Sequence, residues 1–277
     1  MRPNLLRSLA TLALLSIASG LNAQSNRAED DAEWLDRCRE NGRNNDDRGR
    51  ACEVRSVPVK LSGRSIAIDG RQNGGIRVAG WDGDQVKVTA HLQAEGRTDA
   101  AAKALLSSVR IETDGRRVSA DGPSMDGYDR QSWSVSYVVF VPRRFDLELE
   151  AHNGGLSVAD VTGKLELGTT NGSVQLENVG GDVHARTQNG SLNVRLAGRR
   201  WDGAGLNAET QNGSVRLAVP EDYAANLETG TVNGRVNTDI PITVKGNISR
   251  RMSFPIGGGG PTIRAITTNG SVTIARR

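Results

Sequence analysis

The side chains of this chain that could do chemistry are carboxylates, a histidine and arginines placed at fixed distances from repeated Asn-Gly pairs. Glu166 and His184 each lie five residues before such a pair, and Arg186 and Glu209 each lie three residues before one. Carboxylates that converge on one exposed face, with a basic partner, could cleave a polysaccharide. Alternating charges of this kind are more often a solvated ladder of surface ion pairs. We therefore expect no catalytic residue here and keep a polysaccharide-active enzyme as an alternative.

Motifs for metal, cofactor or phosphate binding are missing from the sequence. The glycine run at 257–260 is followed by Pro261 and not by the Lys-Ser/Thr of a phosphate loop. The three histidines are far apart, and no Cys-x-x-Cys spacing occurs. We expect no cofactor and no metal. The four tryptophans also lie in different parts of the chain, which favours packing roles: Trp34, Trp81, Trp133 and Trp201.

The charges are nearly balanced, with 35 lysines and arginines against 32 aspartates and glutamates, and the two signs are interspersed. Nucleic-acid binding instead needs basic residues gathered on one face, with aromatic side chains that stack on bases. Only 4% of the residues are aromatic, so small and β-branched side chains have to fill the core. We expect no nucleic-acid partner and a layered or stacked interior.

An internal repeat would position all of these side chains. Six Asn-Gly pairs follow one another at spacings of 18, 18, 23, 21 and 36 residues, and 36 equals two periods of 18. A fixed period near 20 residues is typical of repeat architectures such as solenoids. We expect the pairs to be structural turns, because Asn and Gly both accept positive φ at low cost. The residues are Asn153, Gly154, Asn171, Gly172, Asn189, Gly190, Asn212, Gly213, Asn233, Gly234, Asn269 and Gly270.

On both sides of each pair, apolar residues or threonine alternate with polar ones. This pattern predicts two short strands per unit, each with one buried face. Parallel stacking of the units predicts an all-β fold, a single-stranded right-handed β-solenoid with coils of 18–23 residues. Asn-Gly is also a strong hairpin signal, so an antiparallel β meander is the alternative.

The part of the chain before Asn153 is expected to be a degenerate start of the same architecture. Asn73-Gly74-Gly75 is followed by apolar residues at the spacing of the later units. Residues 99–108 form the one short α-helix that we expect, with Thr98 or Asp99 as its N-cap. At the other end, Arg276-Arg277 is expected to protect an open sheet edge with charge.

The chain is expected to be exported. Residues 1–23 have the basic start, short apolar run and small residues of a signal peptide, and no later stretch is apolar enough to span a membrane. Residues 24–59 form an N-terminal segment in which Cys38 and Cys52 are expected to pair, as is usual outside the cytoplasm. Residues 60–277 form the solenoid. The expected location is the periplasm or the cell exterior and surface, with no integral membrane segment after signal cleavage.

Residues 60–277 resemble a known family of exported bacterial domains of unknown function, called putative adhesins. The resemblance lies in Val138-Val139-Phe140-Val141-Pro142, which leads through Leu147 and Leu149 into His152-Asn153-Gly154-Gly155, and in the Thr-x-Asn-Gly-Ser units that run to Ile274. It implies a β-solenoid and no established activity.

These observations predict a non-catalytic binding or scaffold module. Its rigid face would present rows of polar side chains to a cell-envelope glycan or protein. Gln175, Asn193 and Arg216 form one such outward row after the Asn-Gly turns and are the candidate ligand-binding residues. The alternatives are the polysaccharide-active enzyme and a structural protein that self-assembles end to end through its solenoid edges. The sequence does not predict an oligomeric state.

Overall fold

The computed structural model describes residues 31–40, 48–61, 63–124, 131–240 and 251–277. The predicted signal peptide at residues 1–23 lies outside these ranges. The described residues form two helices, α1 at residues 31–40 and α2 at Asp99–Ser108, and two ten-stranded sheets.

Sheet A contains β1 (Gly49–Val57), β3 (Ile76–Trp81), β4 (Lys87–Gly96), β7 (Ser132–Pro142), β9 (Leu156–Ala159), β11 (Val174–Glu177), β13 (Leu192–Arg195), β15 (Val215–Val219), β17 (Val236–Thr238) and β20 (Val272–Arg276). Sheet B contains β2 (Ser65–Asp69), β5 (Arg110–Thr113), β6 (Arg117–Asp121), β8 (Asp146–Ala151), β10 (Thr162–Thr169), β12 (Gly180–Asn189), β14 (Gly205–Asn212), β16 (Ala225–Asn233), β18 (Arg251–Ile256) and β19 (Thr262–Asn269).

The repeated units stack in parallel and in register, and each contributes one strand to each sheet. In sheet A, Val174 lies opposite Leu192, which lies opposite Val215, and all three side chains are fully buried. Like residues therefore lie above like residues, and the apolar rows of both sheets join in one hydrophobic core. This confirms the solenoid-like stack, and the antiparallel meander is wrong for the repeat.

The order of the strands in space differs from their order in the chain. Sheet A runs β13-β15-β20-β17, and sheet B runs β14-β19-β16-β18. The coil made of β19 and β20 is thus inserted between the coils that carry Asn212 and Asn233. The described residues of the 36-residue spacing form no second coil of the same kind; β18 lies among them and pairs antiparallel with β16.

This insertion also corrects the expected role of Arg276. The residue lies in β20, which is paired with β15 on one side and β17 on the other, so it is not at a sheet edge. Within the described residues, the strands at this end of the two sheets are β17 and β18.

The upstream part begins with the same architecture and then departs from it. Ile76 lies opposite Leu156 in parallel, as the spacing predicted. Strand β4 instead pairs antiparallel with both β1 and β7 and is buried on both faces over most of its length. The segment expected to precede the solenoid therefore adds its own strand, β1, to the edge of sheet A.

The helices confirm one prediction and correct another. Helix α2 has the expected bounds, and the side chain of Thr98 caps it by accepting a hydrogen bond from the backbone N–H of Ala101. The expectation of a single helix is wrong, because residues 31–40 are helical too. Helix α1 has no long apolar stripe by which its sequence could have been recognised as a helix. The predicted disulfide between Cys38 and Cys52 is present and links this helix covalently to β1. No helix of the described residues has the length and apolar character needed to cross a membrane.

Candidate functional site

One corner of the solenoid carries a continuous ladder of asparagine side chains. Each Asn of an Asn-Gly pair donates a hydrogen bond from Nδ2 to Oδ1 of the Asn in the neighbouring coil, over 2.7–3.0 Å. In spatial order the ladder contains Asn73, Asn153, Asn171, Asn189, Asn212, Asn269 and Asn233. The predicted turn residues are thus brought together, and Asn73 extends their row by one coil.

The glycine of each pair is needed for close packing and not for positive φ. Of the six pairs, only Gly270 has a positive φ, at 154°. A Cβ atom on Gly190 would overlap the carbonyl oxygen of Gly172 in the next coil, and the other five glycines have equivalent neighbours. The conformational reason given by sequence analysis is therefore wrong for five of the six glycines. Positive φ occurs instead at the second corner, for example at Asp160 and Asn178.

The threonine two residues before the asparagine closes the same corner from inside. Thr187 donates a hydrogen bond from Oγ1 to the carbonyl oxygen of Gly172 at 2.7 Å. Equivalent bonds of 2.7–2.8 Å are made by Thr169, Thr210, Thr231 and Thr267. The Thr-x-Asn-Gly motif therefore joins neighbouring coils through side-chain hydrogen bonds and makes this corner rigid.

Gln175, Asn193 and Arg216 occupy one outward row of sheet A, as expected. Gln175 lies opposite Asn193, and Asn193 lies opposite Arg216. Gln175 and Arg216 are exposed, and Asn193 is half-buried. Their side chains make no hydrogen bond or ion pair with the described part of the chain. The row continues with polar residues on both sides, and we call the whole set the sheet A row: Arg77, Ser157, Gln175, Asn193, Arg216 and Thr273.

Helix α1 forms a wall beside one end of this row. Trp34, Arg37, His91 and Gln175 are among the residues that line a cavity of about 420 Å³ there. The His91 ring is 6% exposed, stacks on Trp34 with 4.5 Å between ring centroids, and has Nε2 2.7 Å from Oδ1 of Asp31. The sheet A row therefore ends against a helix held by a disulfide and a buried polar contact.

The charged residues considered for catalysis lie on the outer face of sheet B as a ladder of ion pairs. Glu166 and His184 are register partners, but His184 lies 3.1 Å from Asp182, and Glu166 lies 3.8 Å from Lys164. On the same face Arg186 and Arg264 both pair with Glu209, at 4.0 and 3.3 Å. The side chains are thus engaged with separate partners and do not converge on one point. In the described ranges, no group of His, Cys, Asp and Glu could hold a metal ion.

The clearest shifts in pKa lie away from these rows. The guanidinium of Arg143, 2.6 Å from Asp82, lowers the pKa of that exposed carboxyl. Burial raises the pKa of Tyr137, and the charge of Asp69 acts in the same direction. The Tyr137 hydroxyl is buried, and no described residue forms a hydrogen bond with it. Each of these shifts has a local cause, an ion pair for Asp82 and burial for Tyr137.

A large cleft lies where the outer face of sheet B meets the asparagine corner. Its volume is about 1090 Å³. Glu150, Gly168 and Arg186 line it from three adjacent strands of sheet B, and a Cβ on Gly168 would meet no atom within 4 Å. We call it the corner cleft; its lining includes Asp69, Trp133, Glu150, Gly168, Gln188 and Gln211.

Sequence analysis missed the corner cleft. Gly168 lies three residues before an Asn-Gly pair, as Arg186 and Glu209 do, and it leaves an empty position between two long side chains. Trp133 and residues 120–124 line the cleft from outside the repeat, so the repeat pattern says nothing about their position. A glycine between the charged residues Glu150 and Arg186 is the one signal that could have indicated this site.

Comparisons with known proteins find that part of the chain is similar to a family. Residues 143–275 match the model of the family described as Toastrack DUF4097. No curated protein matches the chain.

Solved structures similar to this chain include three proteins of low sequence identity. A "putative cell adhesion protein" from Clostridium sporogenes is 12% identical, with 82% of this chain and 100% of that chain covered and a TM-score of 0.44. A "putative adhesin" from Bacteroides fragilis is 12% identical, with 82% and 97% covered and a TM-score of 0.35. A "putative lipid binding protein" from Parabacteroides distasonis is 10% identical, with 80% and 96% covered and a TM-score of 0.36.

The family match begins just before β8 and ends in β20, so it spans the coils that carry the asparagine ladder from Asn153 onward. Residues 143–275 of this chain are therefore similar to the Toastrack DUF4097 family.

Proposed function

We propose that this chain is an exported, non-catalytic binding module that uses the sheet A row to hold a polymer of the cell envelope, a glycan or a protein. The observation that carries the proposal is the register of Gln175, Asn193 and Arg216 on adjacent parallel strands. Their uncommitted side chains recur at steps of about 4.8 Å, the distance between strands. A ligand with repeated units can therefore contact one polar side chain on each strand, and no loop of the protein has to become ordered when it binds.

Two further observations support this function. The disulfide between Cys38 and Cys52 is of a kind that persists in oxidising compartments outside the cytoplasm. The charged face of sheet B is divided into separate ion pairs, as in the pair of Arg264 with Glu209, and such exposed pairs solubilise a sheet. If Glu166 or Glu209 were catalytic, replacing it with Gln would abolish turnover of a polysaccharide substrate; we expect no turnover in the parent chain.

The test is binding of the exported chain to purified peptidoglycan sacculi and to envelope protein extracts. The variant Gln175→Ala/Asn193→Ala/Arg216→Ala should lose most of the bound fraction in a co-sedimentation assay with the true partner. Replacement of Glu148, Glu166 and His184 with Ala on sheet B is the matched control and should leave binding unchanged. Equal binding by the parent and the sheet A variant would refute the role of this row.

We also propose that the coils wind with a right hand. Connections between parallel strands are right-handed in the great majority of proteins, because twisted strands pack back onto a sheet most easily that way. An experimental structure of the chain would decide this directly.

A further inference from the structure

The charges that line the corner cleft are largely compensated within the protein. Asp69 accepts hydrogen bonds from Arg117 Nη2 at 3.1 Å and from the backbone N–H of Arg71 at 2.8 Å. Glu150 lies 4.0 Å from Arg117, and Arg186 lies 4.0 Å from Glu209. A ligand that carries a strong charge of either sign would have to compete with these pairs, so the cleft favours a neutral ligand.

Apart from the exposed carboxylate of Asp121, the uncommitted groups on which the inference depends are neutral hydrogen-bonding side chains. Within the described ranges, Thr170, Gln188 and Gln211 form no hydrogen bond through their side chains, and each lies one residue before a ladder asparagine on successive coils. An amide offers two donors and an acceptor with two lone pairs, which suits hydroxyl groups that both donate and accept. Asp121, exposed at the rim, adds an acceptor without an ion-pair partner in the described residues.

An aromatic ring and an open position complete the cleft. Trp133 is half-buried, and its Nε1 donates a hydrogen bond to the carbonyl oxygen of Pro123 at 2.9 Å, which fixes the ring at the wall. Gly168 leaves space between Glu150 and Arg186, its register neighbours on the two adjacent strands. The cleft volume of about 1090 Å³ is slightly above the range usual for small-ligand sites, about 300–1,000 Å³.

We propose that the corner cleft binds a short neutral oligosaccharide, with Gln188 and Gln211 on its hydroxyl groups, Trp133 against the apolar face of a sugar ring and Gly168 giving the ring room. The site goes beyond the proposed docking on the sheet A row, with which it shares no residue. Sugar rings have both a polar edge and an apolar face, so the combination of amides with one fixed aromatic wall matches them.

The rigid position of these groups would favour binding. Gln188 and Gln211 flank asparagines whose side chains are locked in the ladder, and Thr170 and Gln188 also lie next to threonines bonded to the corner backbone. The backbone beneath the ligand therefore does not have to be ordered on binding, which removes part of the entropic cost of association.

The experiment is calorimetric titration of the exported full chain with three tetrasaccharides. Chitotetraose and cellotetraose are neutral, and tetragalacturonate is anionic. At least one neutral probe should bind with a Kd of about 1 mM or lower, and tetragalacturonate should bind at least about tenfold more weakly. Absence of binding by both neutral probes, or tighter binding of the anionic one, would overturn the proposal.

Variants then locate the site. Gly168→Ile fills the open position and should weaken binding about tenfold or more. The fold should tolerate it, because Ile266 occupies the same row three coils further along. Gly258→Ile is the matched control, since a Cβ there also meets no atom within 4 Å, and its Kd should equal that of the parent. Equal affinity of the Gly168 and Gly258 variants would place the saccharide elsewhere and refute the corner cleft.

Two more measurements separate this inference from the proposed function. Gln188→Ala/Gln211→Ala should weaken tetrasaccharide binding, whereas Gln175→Ala/Asn193→Ala/Arg216→Ala should leave it unchanged. If the sheet A variant alone lost the tetrasaccharide, the corner cleft would be wrong and the sheet A row would be the glycan site. If sacculus binding were unaffected by the sheet A variant while Gly168→Ile lost the tetrasaccharide, the proposed docking row would fail and the cleft would stand.

Discussion

The side-chain amide of Asn189 donates a hydrogen bond to that of Asn171 at 2.8 Å and accepts one from Asn212 at 2.9 Å. Every inner member of the ladder has this double engagement, whereas Asn73 at the end only accepts. The amides are exposed, so each bond contributes a modest amount to stability, yet the bonds are linked along the whole corner.

Asn189→Ala should therefore cost more stability than Asn73→Ala. Loss of two bonds should lower the free energy of unfolding by about 1–3 kcal/mol, and loss of one bond by about half of that. Urea unfolding at constant m-value measures both changes. Equal losses in the two variants would mean that the ladder bonds do not contribute to stability.

Gly190→Ala and Gly168→Ala form a matched pair in adjacent coils. The new Cβ at residue 190 would overlap the backbone of Gly172, whereas the one at residue 168 would meet nothing within 4 Å. The first change should lower the free energy of unfolding by about 3 kcal/mol or more. The second should raise it by about 0.4–1 kcal/mol, since alanine restricts the unfolded chain. Similar unfolding midpoints for both variants would contradict the close-packing role of Gly190.

The buried tyrosines predict a loss of stability at alkaline pH. Burial raises the pKa of Tyr223 to about 12 and raises that of Tyr137 as well. Each tyrosine therefore keeps its proton in the folded chain at pH values where the unfolded chain, with a pKa of about 10, has lost it. Stability is fully present below about pH 10 and falls as pH rises through the folded pKa values. Urea unfolding at pH 8, 10 and 11 measures this fall.

Tyr137→Phe is the control for this pH dependence. The variant should show a shallower fall above about pH 10, because it removes one of the two titrating groups. At neutral pH it should be at least as stable as the parent, since the Tyr137 hydroxyl is buried without a described partner. An unchanged alkaline slope would show that Tyr137 does not titrate differently in the folded and unfolded chains.

The disulfide should hold helix α1 on sheet A. Cys38→Ser/Cys52→Ser should destabilise this attachment by roughly 3 kcal/mol in the chain-entropy description. Hydrogen exchange of residues 31–40 should then accelerate strongly, with little change in β11, β13 and β15, which contact other coils. Trp34→Ala with the disulfide intact should have a smaller effect. Unchanged protection of residues 31–40 in the double variant would contradict this attachment.

The repeat pattern predicted the contents of each coil but not the order of the coils. Val174, Leu192 and Val215 stack as their spacing from Asn-Gly required, and Gln175, Asn193 and Arg216 follow on the opposite face. The order failed for a physical reason. All units present the same Thr, Asn and Gly at the corner, so the coil of Asn269 can pair with that of Asn212 as well as with that of Asn233.

The candidate sites show the same division between local pattern and tertiary arrangement. Three members of the sheet A row, Gln175, Asn193 and Arg216, were predicted to share one outward face from period-two alternation alone, and they do. The corner cleft also needs Asp69, Trp133 and residues 120–124, whose positions depend on the pairing of β6 with β2 and of β7 with β3. Those pairings join segments far apart in the chain, and no spacing rule in the sequence indicates them.

Strands β19 and β20 lie between strands that precede them in the chain. The coil at residues 262–276 is therefore the last one needed to complete the stack. During synthesis β14 and β15 are made before β19 and β20. One edge of β14 and one edge of β15 therefore lack their final partner strands until residues 262–276 have been made. Until then these edges expose unpaired backbone N–H and C=O groups, which can form hydrogen bonds with strands of other molecules. Loss of this one coil would divide the stack into two parts, where loss of an outermost coil would merely shorten it.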